Sequence, residues 1–425
     1  ERNKIAEEIH GVDTFAVKET PELIERSLKE MEQAIAKNSI TPRVAFDQAM
    51  AMPDSFIHNK TVVWLRYLRA DLFDPTKAAL RIIKHLQLLL AFYGVEALRR
   101  PIRYTDLNDE EKAFLRAGDY QILPSRDRGS RLIMFLHSHA GGSNLVRIRV
   151  HLYVASVLAE DEETQRKGHV VVCRQEKSSF DKISSRTFRN SIGDVVKYSP
   201  VRFAAVHIVL PDDPIVNMIR PVITMLIQGQ NERVRTKFYT GFSTETRYQL
   251  MSFGIPIQEL PVSSTLTIKT KNHNQWIKCR IAIENARAEG RDTSGWITQP
   301  GIHDILFSPG GNPNNQGNLQ FRQMMDARLD EYFSTSKRKP KKDIRDKIIA
   351  AARVNGGRFL ELNRNGGWWE EINSPATVDE KVSVYFYNEK KKGDAMGRRQ
   401  NEACVSVHFG AKRQRVGEET CCFRR

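Results

Sequence analysis

The sequence is poor in cysteine, with five in 425 residues. Cys173, Cys279 and Cys404 stand alone, and Cys421 and Cys422 are adjacent. That pattern excludes a disulfide framework and makes a reducing compartment the expectation. Long hydrophobic runs are also missing. The most apolar long stretch, 208–227, is interrupted by Pro211, Asp212, Asp213, Pro214, Asn217, Arg220 and Pro221, so it cannot supply the roughly 20 apolar residues of a membrane span. Residues 1–9 are charged and helical in pattern, unlike a secretory leader. Catalytic signatures are absent as well: no G-x-S-x-G, H-E-x-x-H, Walker loop or C-x-x-C occurs. His137 and His139 lack a clear third ligand, and the loop at 310–317 has neither a Lys-Ser/Thr pair nor a strand–helix pattern around it. The expectation is a protein without catalytic activity, metal or cofactor.

Positive charge is what the chain has in excess. Lys and Arg number 66 against 51 Asp and Glu, a formal net charge of +15. Residues 299–425 hold 23 basic and 16 acidic residues, net +7, and the preceding 298 hold +8. An anionic partner is implied, either nucleic acid or an acidic membrane surface. Apolar residues make up 40%, enough for a core of real size.

Residues 1–100 read as helices. Leu23, Ile24, Leu28, Met31 and Ile35 follow a 3.6 period over 22–36, and 60–72 and 75–93 form two more helices. Asp74-Pro75 between them is an N-cap followed by proline at the first helical position. From about 130 the texture changes. The runs 131–136, 169–173 and 203–210 are short and almost wholly apolar, as in strands buried on both faces. Helical patterns at 148–158 and at Phe188, Ile192, Val195 and Val196 lie between them, so the fold class expected is α/β. The domain order expected is an N-terminal helical region at 1–100, an α/β lobe at 101–265, an extended connector at 266–298, a small mostly α-helical domain at 299–387 and a basic disordered tail at 388–425.

The stretch 214–228 is the most informative helix. Asn217, Arg220, Thr224 and Gln228 form a narrow polar stripe. Ile215, Met218, Ile219, Val222, Ile223, Met225 and Leu226 cover much of the rest, and Pro221 invites a kink. A helix with so wide an apolar face is expected in the core or lining an apolar cavity.

The segments 64–74 and 76–79, the run 127–135, Tyr198-Ser-Pro followed by the 201–209 strand, Arg220-Pro221, and 255–261 occur in that order. Together they resemble the CRAL-TRIO lipid-binding family, which includes yeast phosphatidylinositol-transfer proteins. The resemblance covers about residues 55–265. It implies a helical tripod, an α/β lobe with a lipid pocket, and a gate helix that moves at the membrane, here the 214–228 segment. It further implies a headgroup contact at Lys237, with Arg66 and Arg69 as further candidates. Val201 stands where phosphoinositide-handling members carry Glu, so the bound lipid need not be phosphatidylinositol. A lipid ligand, an anionic membrane surface, a monomeric state and a peripheral, cytoplasmic location are the corresponding expectations.

The motifs 300–307, the Gly/Asn loop 310–318, Phe321-Arg322, 356–360, 368–370 and 380–382 follow one another in that order. With them, residues 299–387 resemble a second family, an uncharacterised domain abundant in diatom proteins. Its basic cluster Lys337, Arg338, Lys339, Lys341 and Lys342 can meet anionic lipid, nucleic acid or a nuclear importer. A nucleic-acid-binding regulator is therefore the competing reading.

Overall fold

The structure, a computed structural model, describes residues 2–37, 42–138, 142–177, 193–226, 230–263, 265–308 and 315–391. The chain is mixed α/β. It divides into two compact units, one of residues Glu1–Ile302 with Leu362–Glu370, the other of His303–Glu361 with the residues from Glu371 onward. Among the described residues no helix is long and apolar enough to cross a membrane. The expected disordered tail and Cys404, Cys421 and Cys422 lie almost wholly or wholly outside the described residues, as do Phe188 and Ile192.

The first unit is built on a five-stranded sheet of β1 (Tyr120–Ile122), β2 (Ile133–Ser138), β3 (His169–Gln175), β4 (Phe203–Leu210) and β5 (Thr236–Thr240), in that spatial order. β1 pairs antiparallel with β2, and the remaining neighbours are parallel. Side chains alternate across the strands. Met134 and Val171 therefore face a large core shared with the N-terminal helices and the Asn144–Leu158 helix. Ile133, Phe135, Val170, Val172 and Ala205 face a second core with Ile5, Ile9 and Leu250. The apolar runs read as buried strands are such strands, covered on both sides. The 1–100 and 101–265 segments form one unit because the first core runs through both.

Local chemistry explains the helices that frame this sheet. Asp74 accepts the backbone N–H groups of Thr76 and Lys77, and Pro75 opens the Pro75–Tyr93 helix. The expected helix over 60–72 divides into a π-helical turn, Lys60–Trp64, and an α-helix, Leu65–Ala70. It closes with Leu72 and Phe73 both at positive φ.

The segment 266–298 departs from the expected extended connector. Its strand-like features are two isolated bridges, Ile268 with Val262 and Ile297 with Trp369, and between them lies an 18-residue helix, Lys271–Ala288. His273, Trp276, Ile277, Cys279, Arg280, Ile283, Glu284 and Ala286 are its buried residues. Three of these eight are polar, which interrupts the hydrophobic periodicity that would announce the helix. Arg280 and Glu284 are tolerated inside because they pair with each other and with Glu160 and Tyr153.

In the second unit, β6 (Ile305–Phe307) runs parallel to β7 (Phe359–Leu362). The helices Gln316–Asp326, Leu329–Ser334, Arg338–Val354 and 375–391 surround a core of Phe321, Ile348, Phe359, Val382 and Phe386. A Cβ on Gly317 would lie 2.2 Å from the Asp304 carbonyl oxygen, so the helix can start there only on glycine. The Gly/Asn loop thus does follow a strand and lead into a helix. A three-residue strand is too short to leave a periodic trace.

Candidate functional site

The carboxyl ends of parallel strands are the usual place for a ligand. Here they present His137 and Ser138 from β2, Arg174 and Gln175 from β3, Leu210 from β4 and Thr240 from β5. His137 Nε2 is 3.0 Å from Glu176 Oε1, and its Nδ1 is 3.4 Å from Asp119 Oδ1. Arg174 donates to the Leu266 carbonyl at 3.1 Å. Among the described residues no group of three His, Cys, Asp or Glu is placed to hold a metal.

The Pro214–Leu226 helix leaves directly from this edge. Asp213 Oδ1 accepts the N–H groups of Ile215 and Val216, and Pro214 needs no partner. Thr240 Oγ1 donates to Asn217 Oδ1 at 3.0 Å, which holds one polar position of the helix against the end of β5. Val216 is buried, whereas Ile215 is 62% and Met218 73% exposed. At Ile215 and Met218 the wide apolar face therefore meets solvent rather than core. Ile219, Val222, Ile223, Met225 and Leu226 belong to the same helix, but their side chains lie outside the described residues.

The three expected headgroup residues are not brought together by hydrogen bonds or ion pairs. Lys237 on β5 sits in register with His207 on β4 and is half-buried. His207 is held neutral, near pKa 3, chiefly by burial and then by the charges of Arg131, Lys237 and His10. Arg66 is half-buried, its Nε has no hydrogen-bond partner, and burial holds its pKa below the usual arginine value. Arg69 is committed elsewhere. It donates to both carboxylate oxygens of Glu19, to Glu162 and to Gln165, so it cannot hold a headgroup without breaking a buried ion pair.

The basic cluster opens the Arg338–Val354 helix. Lys337, Arg338, Lys339 and Lys342 are exposed, and Lys341 is half-buried with Nζ 5.1 Å from the Tyr332 ring centre. The first turn carries no acidic residue, and no side chain caps it. Further along, Arg345 turns inward to Asp379 and Tyr332, and its hydrogen bonds hold the Asp379 carboxyl below the usual range.

Sequence reasoning missed a cleft of about 440 Å³ in the second unit. It is lined by Arg353, Gly357, Arg358 and Phe359 on one side and by Glu371, Ile372 and Asn373 on the other. The one readable signal is Gly356-Gly357 just past the helix. Gly356 has φ +79°, and a Cβ on Gly357 would approach the His303 carbonyl to 2.6 Å.

Residues 304–388 match the domain of unknown function DUF6824. The sheet of β6 and β7, the basic helix and the cleft all fall within that match. No CRAL-TRIO family match is found for the 55–265 segment. No curated protein matches the chain.

Proposed function

We propose that the first unit binds a lipid and exchanges it at membrane surfaces, acting as a carrier or sensor, with the Pro214–Leu226 helix as the contact. The observation that carries this reading is the exposure of Ile215 and Met218, less than one helical turn apart, on a helix interrupted by Pro221. Sinking either side chain into acyl chains gains roughly 1.5–3 kcal/mol. The chain's positive charge adds attraction to acidic lipid. Lys237 is the residue proposed to meet a lipid phosphate, as a point charge. Native mass spectrometry of the purified full chain, with transfer of a labelled phosphatidylcholine between vesicles, tests the proposal. Bound lipid and transfer are expected. Neither bound lipid nor transfer overturns it.

The opening of the Arg338–Val354 helix favours a second reading, contact with nucleic acid. Five cations there face the positive end of the helix dipole, a mismatch of about 0.3–1 kcal/mol for each cation in that turn. Backbone phosphates laid across that turn would reverse it. Duplex DNA binding by the full chain should weaken linearly in log salt. Replacing the five cations with serine should flatten that slope by about one unit for each DNA phosphate no longer neutralised. A slope unchanged by the replacement removes this reading.

A further inference from the structure

The N-terminal helix, Arg2–Ile9, reaches into the first unit with a charged residue. Glu8 is fully buried. Its Oε1 accepts Nη2 of Arg202 at 2.6 Å, and its Oε2 accepts Nη1 of Arg235. Arg131, itself paired with Asp127, donates to the Glu8 and Ile9 carbonyls at the end of the helix. Gly11 at φ +66° then turns the chain away, where a Cβ would meet the Gly129 nitrogen at 2.9 Å.

The charges of this cluster do not balance. Three guanidiniums, from Arg131, Arg202 and Arg235, face two carboxylates, from Glu8 and Asp127. Arg202 is only 8% exposed, yet its Nε and Nη1 have no hydrogen-bond partner. Unused donors on a buried cation are costly. The two Glu8 oxygens, one of which also accepts the Phe15 N–H, leave these Arg202 donors unmet, while Arg235 donates to the Ala204 carbonyl as well. A phosphate brings about −1.5 to −2 charges and three acceptor oxygens.

We propose that Arg202 and Arg235 form a phosphate-binding site, and that the N-terminal helix closes it by offering Glu8 as an internal substitute anion. An incoming phosphate displaces the carboxylate, takes up the unused Arg202 donors and releases the helix. The inference does not need the lipid reading, because inorganic phosphate alone can reveal it.

The test uses the full chain. Lys4 is exposed but lies inside the helix, so tryptic cleavage after it reports helix release. Inorganic phosphate should speed that cleavage about tenfold over chloride at equal ionic strength, the effect of a shift near 1.4 kcal/mol. If only vesicles of phosphatidylcholine with phosphatidic acid do so, and phosphatidylcholine vesicles do not, the phosphate is a lipid headgroup. E8Q should bind phosphate about tenfold more tightly than the parent by the same measure, and R202M in that background should abolish the gain. Cleavage that responds to none of these probes overturns the proposal, and so does phosphate binding that R202M leaves unchanged.

Discussion

Arg69 holds both carboxylate oxygens of Glu19 at 2.7 Å, although the two residues are 50 apart in the chain. Both side chains are 8% exposed. Removing one member of such a pair leaves the other buried and uncompensated, at a cost of about 3–5 kcal/mol. Arg166, 3.1 Å from Glu19, softens the loss toward the lower figure. Arg69→Met should therefore lower the urea midpoint clearly, while lipid bound per folded molecule stays the same. A variant that keeps its midpoint but loses lipid would make Arg69 a headgroup contact instead.

Stability should fall in mild acid. His85 and His151 are held near pKa 4, and His169 and His207 near 3, in each case first by burial. These groups stay neutral in the fold but take up protons once unfolded, so their contribution is full above about pH 6.5 and drains away as pH drops toward 4. Glu8, Glu19 and Asp161 are held below their usual values by arginine partners that outweigh desolvation. Their contribution is present above about pH 4.5 and is lost below it. Urea midpoints at pH 7.5, 6 and 5 should decline in that order. His169 is buried with its ring 4.5 Å from that of Phe203. His169→Leu should narrow the gap between pH 7.5 and pH 5, and an unchanged gap would exclude His169 as a source.

Gly317→Ala should damage the second unit selectively. The added methyl carbon would need to displace the His303–Asp304 backbone, not a flexible side chain. About 3 kcal/mol or more is expected from such overpacking. Hydrogen exchange should speed up at Leu306 and Phe359 while the amides of β2 and β3 keep their protection. Equal loosening of β2 and β3 would contradict the division into two units.

Trp296 and Trp368 stack at 3.7 Å with an interplanar angle of 3°. Trp369 and Ile297 exchange backbone hydrogen bonds beside them. The ring pair is worth about 0.5–1.5 kcal/mol beyond its buried area. Trp368→Phe should lose the near-ultraviolet circular dichroism of coupled indoles and cost stability within that range. A spectrum that survives the change would mean that the rings do not stack in solution.

The sequence was most readable where structure is local. Asp74-Pro75 announces its helix because cap and first turn are adjacent in the chain. The 203–210 run announces β4 because a strand covered on both faces must be apolar along its whole length. Legibility failed where polar residues do interior work. Arg280 and Glu284 disguised a buried helix, since their partners Glu160 and Tyr153 lie more than 100 residues away. Ile215 and Met218 show the opposite failure, for composition puts such residues inside and the structure puts them in water. The Glu8 site could not be read at all. Nothing near residue 8 hints that it will meet residues 202 and 235.

That distance has a consequence on the ribosome. Glu8 and Arg235 are 227 positions apart, and synthesis proceeds at about 5–20 residues per second. The Arg2–Ile9 helix therefore waits roughly 10–45 seconds after its own synthesis for its second arginine. Through that interval Ile5, Ile9 and the Glu8 carboxylate have no completed seat, and a nascent-chain chaperone would find them exposed. The first-made part of this unit is among the last to be fastened.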